Sequence, residues 1–235
     1  MRTAYHLTCI VLGGIVLAAC TKESSRPDQT ASSAGAGTDT MALSTRTVDS
    51  AAGALANRRE AQQLFESARA ALVQKQTRNA AAELRRASAY FVRLADSTSG
   101  AIRTRVGQTQ RGLDSLASKL EARTEVSVRE LDRAFARANY VESERHLARS
   151  QEAWTRSDTS EAAGELLIAV DHLERAAKDA GSSLGRAGTR TVADARRLSN
   201  DLLRQVPPAN GATMARVHED MTQALHTLRE RLDER

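Results

Sequence analysis

Aromatic residues make up 3% of this 235-residue chain, and it has only two cysteines. Lysine is scarce as well: Lys22, Lys75, Lys119 and Lys178 leave 30 of the 34 basic residues as arginine (34 minus four). Each shortage excludes something. With few aromatics and an apolar content dominated by Ala, Leu and Val, little is available to build a sheet. Stacking platforms for bases are missing too, which argues against nucleic acid as a partner. Both cysteines, Cys9 and Cys20, fall within the first twenty residues, so no disulfide framework can hold the rest of the chain. Its stability must come from packing. No long stretch alternates with period two. Metalloprotease, CxxC, Gly-x-Ser-x-Gly and phosphate-loop patterns are all missing, which points away from an enzyme and calls for no cofactor.

What is present begins with MRTAYHLTCIVLGGIVLAAC. Arg2 supplies a positive start, and Leu7 to Leu17 is an apolar run too short for the roughly 20 residues a bilayer-spanning helix needs, which suits a secretory signal. It ends in Leu17-Ala18-Ala19-Cys20, which resembles the lipobox of bacterial lipoproteins. That resemblance implies cleavage before Cys20, a diacylglycerol thioether on its sulfur, and an acyl group such as palmitate on the new amine. An ordinary signal peptide cut after Ala19, and an uncleaved anchor, are the alternatives. Thr21 is not the aspartate that resembles an inner-membrane retention signal, so in a cell with two membranes the periplasmic face of the outer one is the implied location. Two or more acyl chains give stable attachment where one is marginal.

Residues 20–53 are rich in Ser, Thr, Gly and Ala and read as a lipidated cysteine followed by a flexible linker, with a root-mean-square span of about 30 Å. Residues 54–235 then read as an all-α domain of about seven helices, packed as antiparallel hairpins or a bundle. Ala61, Leu64, Phe65, Ala68, Ala71 and Leu72 share one helical face. The polar stretch Gln76 to Asn79 predicts a turn, and Ala80, Leu84, Ala87, Phe91 and Leu94 form the next stripe. After a break at Asp96 to Gly100 come Ile102, Val106, Leu113, Leu116 and Leu120. Val128, Leu131, Phe135 and Ala138 open a fourth helix, and Tyr140, Leu147 and Trp154 continue it on a rotated face, predicting a bend or stutter near Asn139. Asp158 and Glu161 stand at capping-box spacing ahead of Ala163, Leu166, Val170 and Leu173. Gly181 to Gly188 reads as loose. Val192 to Val206 forms a sixth helix stopped by Pro207-Pro208, and Met214, Val217, Met221, Leu225, Leu228 and Leu232 stripe a seventh.

A shift of 82 residues lays AAAELRRASAYFVRLA (80–95) over AAGELLIAVDHLERAA (162–177). It also places Phe65 on Leu147, Leu72 on Trp154, Leu116 on Leu198 and Leu120 on Leu202. The expectation is a duplication of 54–124 in 136–206, followed by a terminal helix over 210–235. Neither unit could fully bury its stripe without a neighbour. The hairpin from Leu147 through Trp154 to Ala176 loosely resembles tetratricopeptide-type hairpins, although an 82-residue period is not their 34-residue one.

Histidine gives little chemistry in this reading. His218 and His226 lie two turns apart beside Glu219 and Asp220, skipping the i+3 or i+4 position a metal pair uses, so both are expected at the surface and no metal site is assigned. Asp171-His172 and Glu144-Arg145-His146 read as charged helix faces. Glu60, Glu66 and Glu83 are matched with arginines at helical spacing. Trp154, Tyr140 and Tyr90 are candidates to line a partner groove; for Trp154 the alternative is gap-filling at a hairpin end. The net charge of +5 permits contact with anionic envelope polymers. The expected function is a membrane-anchored, non-enzymatic scaffold or adaptor for a protein or envelope polymer. The alternative is a bundle that binds a small ligand or metal in envelope stress or metal handling.

Overall fold

The computed structural model describes residues 60–204 and 211–234. The lipobox residues Leu17, Ala18, Ala19 and Cys20, the 20–53 linker and the Pro207-Pro208 stop lie outside them. The described chain is all-α, and no strand occurs among these residues. Helix α1 covers 60–73. It is followed by α2 (Thr77–Asp96), α3 (Gly100–Glu121), α4 (Val128–Thr155), α5 (Thr159–Asp179), α6 (Gly185–Leu203) and α7 (Gly211–Asp233). None of the described helices is long and apolar enough to cross a membrane.

The expected stripes are the buried faces. Phe65, Leu84, Phe91, Leu113, Leu166, Leu173, Met221 and Leu228 all lie inside, each on a helix with polar residues outward. Burying an aliphatic side chain of this size contributes about 1.5–3 kcal/mol, so the stripes fix how each helix is rotated. Connections of a few residues force antiparallel neighbours. The α4–α5 hairpin shows this directly. Ser143 Oγ donates to the Ala169 carbonyl at 2.7 Å and Ser150 Oγ to the Ala162 carbonyl at 2.8 Å. Seven residues forward on α4 are thus seven residues back on α5. Such bonds require close helix approach, and the buried alanines Ala162, Ala169 and Ala176 along the facing stripe of α5 allow it.

Local chemistry sets the ends. Ser127 and Asp158 accept the backbone N–H of Glu130 and Glu161, 3.1 and 2.9 Å away, satisfying one orphan donor at each helix start. Lys75, Arg123 and Ser157, just past the ends of α1, α3 and α4, sit at φ +59°, +59° and +61°, the left-handed turn that closes a helix. Two expectations need correction here. Thr77 to Asn79 form the first turn of α2 and are not a loop, because the left-handed residue at Lys75 already reverses the chain. Gly185 to Gly188, read as part of a loose stretch, form the first turn of α6. Helix α4 continues through Asn139 without a break over its 28 residues. Its buried residues change face along the sequence because α4 is covered on nearly every side, so no single stripe marks it.

Helix bounds recur at the 82-residue offset. Shifted by 82, α2 becomes 159–178 against Thr159–Asp179, and α3 becomes 182–203 against Gly185–Leu203. The end of α1 falls on Thr155, the end of α4, and the start of α4 falls one residue before Gly211, the start of α7. The left-handed residues Lys75 and Ser157 also stand 82 apart. In this register α1, α4 and α7 fall at corresponding positions.

Candidate functional site

Helices α3 and α7 both pack on α4 with at most marginal contact to each other, leaving a groove floored by α4. One part has a volume of about 550 Å³; an adjoining part of about 320 Å³ shares Arg105, Tyr140 and Arg229 with it. Each helix contributes a guanidinium: Arg105 from α3, Arg137 from α4 and Arg229 from α7. Ala101, Gly112 and Ala134 keep the walls low, and Tyr140, Val141 and Leu232 supply apolar surface.

The three arginines are not equally committed. Arg105 Nε donates to Glu144 at 2.6 Å, and the Tyr140 hydroxyl donates to the other oxygen of the same carboxylate at 2.8 Å. Burial and then Glu144 push the Tyr140 phenol upward, so it remains a donor. Arg229 lies 3.6 Å from Asp233 one turn on. Arg137 is exposed, donates only to the Leu232 carbonyl at 3.4 Å, and has no carboxylate partner among the described residues.

Behind this groove, on the other side of α4, lies a buried polar array that the sequence reading missed. Tyr90 donates to Glu142, whose other oxygen accepts from Arg145 Nε at 2.9 Å. Arg145 Nη2 stands 2.7 Å from His146 Nε2. A guanidinium cannot accept, so Nε2 is the acceptor and the proton sits on Nδ1, which donates to Glu165. Arg149 Nε closes this arm at 3.1 Å from Glu165. A second arm starts at His172, whose Nδ1 donates to Asn139 Oδ1 at 3.0 Å; Asn139 Nδ2 donates to Asp179 at 2.9 Å. Asp179 also accepts from Arg69, which bonds Asp132 in turn. The parallel rings of His146 and His172, 5.6 Å apart, join the arms.

Charge in this array follows from the partners. Burial opposes ionisation of Glu142, but Arg145 outweighs it and its carboxyl stays below the usual range. Glu165 behaves in the same way against burial, through His146 and Arg149. Burial pushes His146 down, and the Arg145 proton on Nε2 adds to that. It is therefore a neutral imidazole between a carboxylate and a guanidinium. A His–carboxylate pair can orient a general base, but here Nε2 is already occupied and the residue is 2% exposed. Arg145 likewise fills the space between Glu142 and His146 where a cation would sit. Among the described residues no group of three or more His, Cys, Asp or Glu is arranged for a metal.

Three surface expectations are thereby corrected. His146, His172 and His218 are 2%, 3% and 5% exposed; among the described histidines only His226 is at the surface, 3.5 Å from Glu230. His218 Nε2 is 3.1 Å from Ser150 Oγ, whose own proton goes to Ala162. The imidazole is therefore the donor, and burial lowers its pKa. A signal did exist. Glu165, His172 and Asp179 recur every seven residues on α5, as Asn139 and His146 do on α4, marking a polar seam at coiled-coil spacing. The α4 side of the seam does not recur at the 82-residue offset. At the equivalent places in α7, Asn139, Ser143, His146 and Ser150 become Met221, Leu225, Leu228 and Leu232, all buried.

The three aromatic candidates end in different surroundings. Tyr140 borders both parts of the groove. Tyr90 is buried on Glu142, and Trp154 is half-buried against the core edge; neither is among the residues lining the groove. No family model, curated protein or solved structure matches the chain.

Proposed function

We propose that this chain is a lipid-anchored envelope protein, attached through Cys20, that works as a non-enzymatic helical scaffold or adaptor. The observation that carries the reading is Leu17-Ala18-Ala19-Cys20 behind a short apolar run. In this proposal the 20–53 linker stands between the anchor and a helical array that arose by duplication, and the array presents the α3–α4–α7 groove to a protein or an anionic envelope polymer. In a cell with two membranes, Thr21 favours the outer one, on its periplasmic face. The non-enzymatic character rests on the missing motifs and on a His–carboxylate pair that is enclosed and fully engaged.

Mass spectrometry of the N-terminal peptide tests the anchor. The expected species begins at Cys20 and carries a diacylglycerol with an acylated amine, and Cys20→Ser leaves the membrane fraction. An unmodified N-terminus, or a serine variant that fractionates like the parent, overturns it. The groove volume of about 550 Å³ also falls within the ~300–1,000 Å³ of small-ligand sites, which favours a small anionic ligand as the second reading. Native mass spectrometry of protein purified without a tag would find a stoichiometric small molecule in that case, and none otherwise.

A further inference from the structure

We propose that the groove between α3, α4 and α7 binds an extended, carboxylate-bearing peptide segment of a partner protein, with Arg137 as its principal contact. The proposal rests on the adaptor reading and adds the chemistry of the partner. Three observations carry it.

The first is charge. Arg105, Arg137 and Arg229 converge from three helices, and Arg105 and Arg229 each have one carboxylate nearby. Arg137 has none among the described residues, so the groove lacks one negative charge at its floor. A guanidinium fork matches a carboxylate in two parallel hydrogen bonds. Gln108 and Thr104, on the α3 wall, offer the amide and hydroxyl groups that a peptide backbone uses.

The second is shape. Along α4 the groove runs from Ala134 to Gln151, and 17 steps at 1.5 Å each give about 26 Å. An extended chain at ~3.3 Å per residue covers that length in about eight residues.

The third is that the walls are open by composition. Gly112 on α3 is exposed, and a Cβ there would meet nothing within 4 Å, although glycine inside a helix costs about 1 kcal/mol relative to alanine. At the 82-residue offset Gly112 falls on Asp194, partly exposed on α6.

The test uses the full-length, anchored protein in neutral detergent, with a fluorescein-labelled peptide alternating glutamate with leucine as probe and its glutamine counterpart as control. Fluorescence anisotropy is expected to show binding of the glutamate peptide and at least tenfold weaker binding of the glutamine peptide. Arg137→Gln removes a charged hydrogen-bond partner and should weaken binding about tenfold. Gly112→Glu places a like charge in the wall while improving helix propensity, so it tests the groove without threatening the fold; a similar loss is expected. Arg129→Gln, on the exposed start of α4, should leave affinity unchanged. Equal binding of both peptides, no binding, or indifference to Arg137→Gln and Gly112→Glu overturns the proposal. Loss of the peptide to competition by short-chain phosphatidylglycerol at equal affinity overturns it in favour of a lipid headgroup. A photo-cross-linker at Gln108 separates the layers. A discrete cross-linked protein in cells, with no glutamate-peptide affinity, leaves the adaptor reading standing and removes the peptide chemistry.

Discussion

Replacing Arg145 by methionine keeps most of the side-chain volume and removes the charge. Arg145 is 8% and Glu142 2% exposed, so the carboxylate cannot recover its lost partner from water. The remaining cationic candidates are His172 and His146, the latter 3.8 Å away, and the same change deprives His146 of the donor on Nε2. Breaking a buried pair from one side costs about 3–5 kcal/mol. For a chain of this size each kcal/mol lowers Tm by about 2–4 °C, so a fall of about 6–20 °C is expected. Urea unfolding followed by far-UV circular dichroism should give a lower midpoint with an unchanged slope. The companion variant Glu142→Gln/Arg145→Met removes the stranded charge while leaving Tyr90 an acceptor, and should regain at least half of the loss, a coupling that only contacting residues show. A single variant within about 1 kcal/mol of the parent would refute the buried-array reasoning, as would a double variant less stable than the single.

Stability should also fall with acid. His146 and His218 have folded pKa values below the unfolded 6.5. The unfolded chain therefore binds more protons, and the contribution that is full above pH 6.5 is lost as pH drops through the folded values. Further acid then protonates Glu142 and Glu165, held below 4.5; a urea midpoint that stays level from neutral pH down to pH 5 would contradict this. Lys75→Gly and Ser157→Gly relieve left-handed backbone at φ +59° and +61° and should each stabilise by about 0.5–1 kcal/mol after glycine's own entropy cost, read as a rise in Tm; a fall would sink the argument. Ser127→Ala and Asp158→Ala each remove an observed cap and should cost about 1 kcal/mol in urea unfolding, whereas Ser127→Asp should not.

Most of the fold could be read from the sequence, because six of the helices bury one stripe each and a stripe leaves a period. Ala80, Leu84, Ala87, Phe91 and Leu94 on α2, and Met214 to Leu232 on α7, are buried as spaced. Helix α4 was harder to read for the opposite reason. Enclosed on nearly all sides, it needs no polar face, and its shifting pattern marks no single stripe. Histidines 146 and 172 look like parts of charged surfaces when only neighbours in sequence are weighed. The groups that make their burial tolerable, Tyr90, Arg69 and Glu165, are supplied by other helices. The groove was even less accessible to sequence, because Arg105 and Arg229 meet only through the placement of α3 and α7 on a third helix.

The last helix turns Met214, Val217, Met221, Leu225, Leu228 and Leu232 inward and leaves Arg216, Glu219, Asp220, Gln223 and Glu230 in water. That outer row of charge and amide offers no apolar surface on which a second copy of α7 could pack side by side, so association through this face would have to be polar and sensitive to salt.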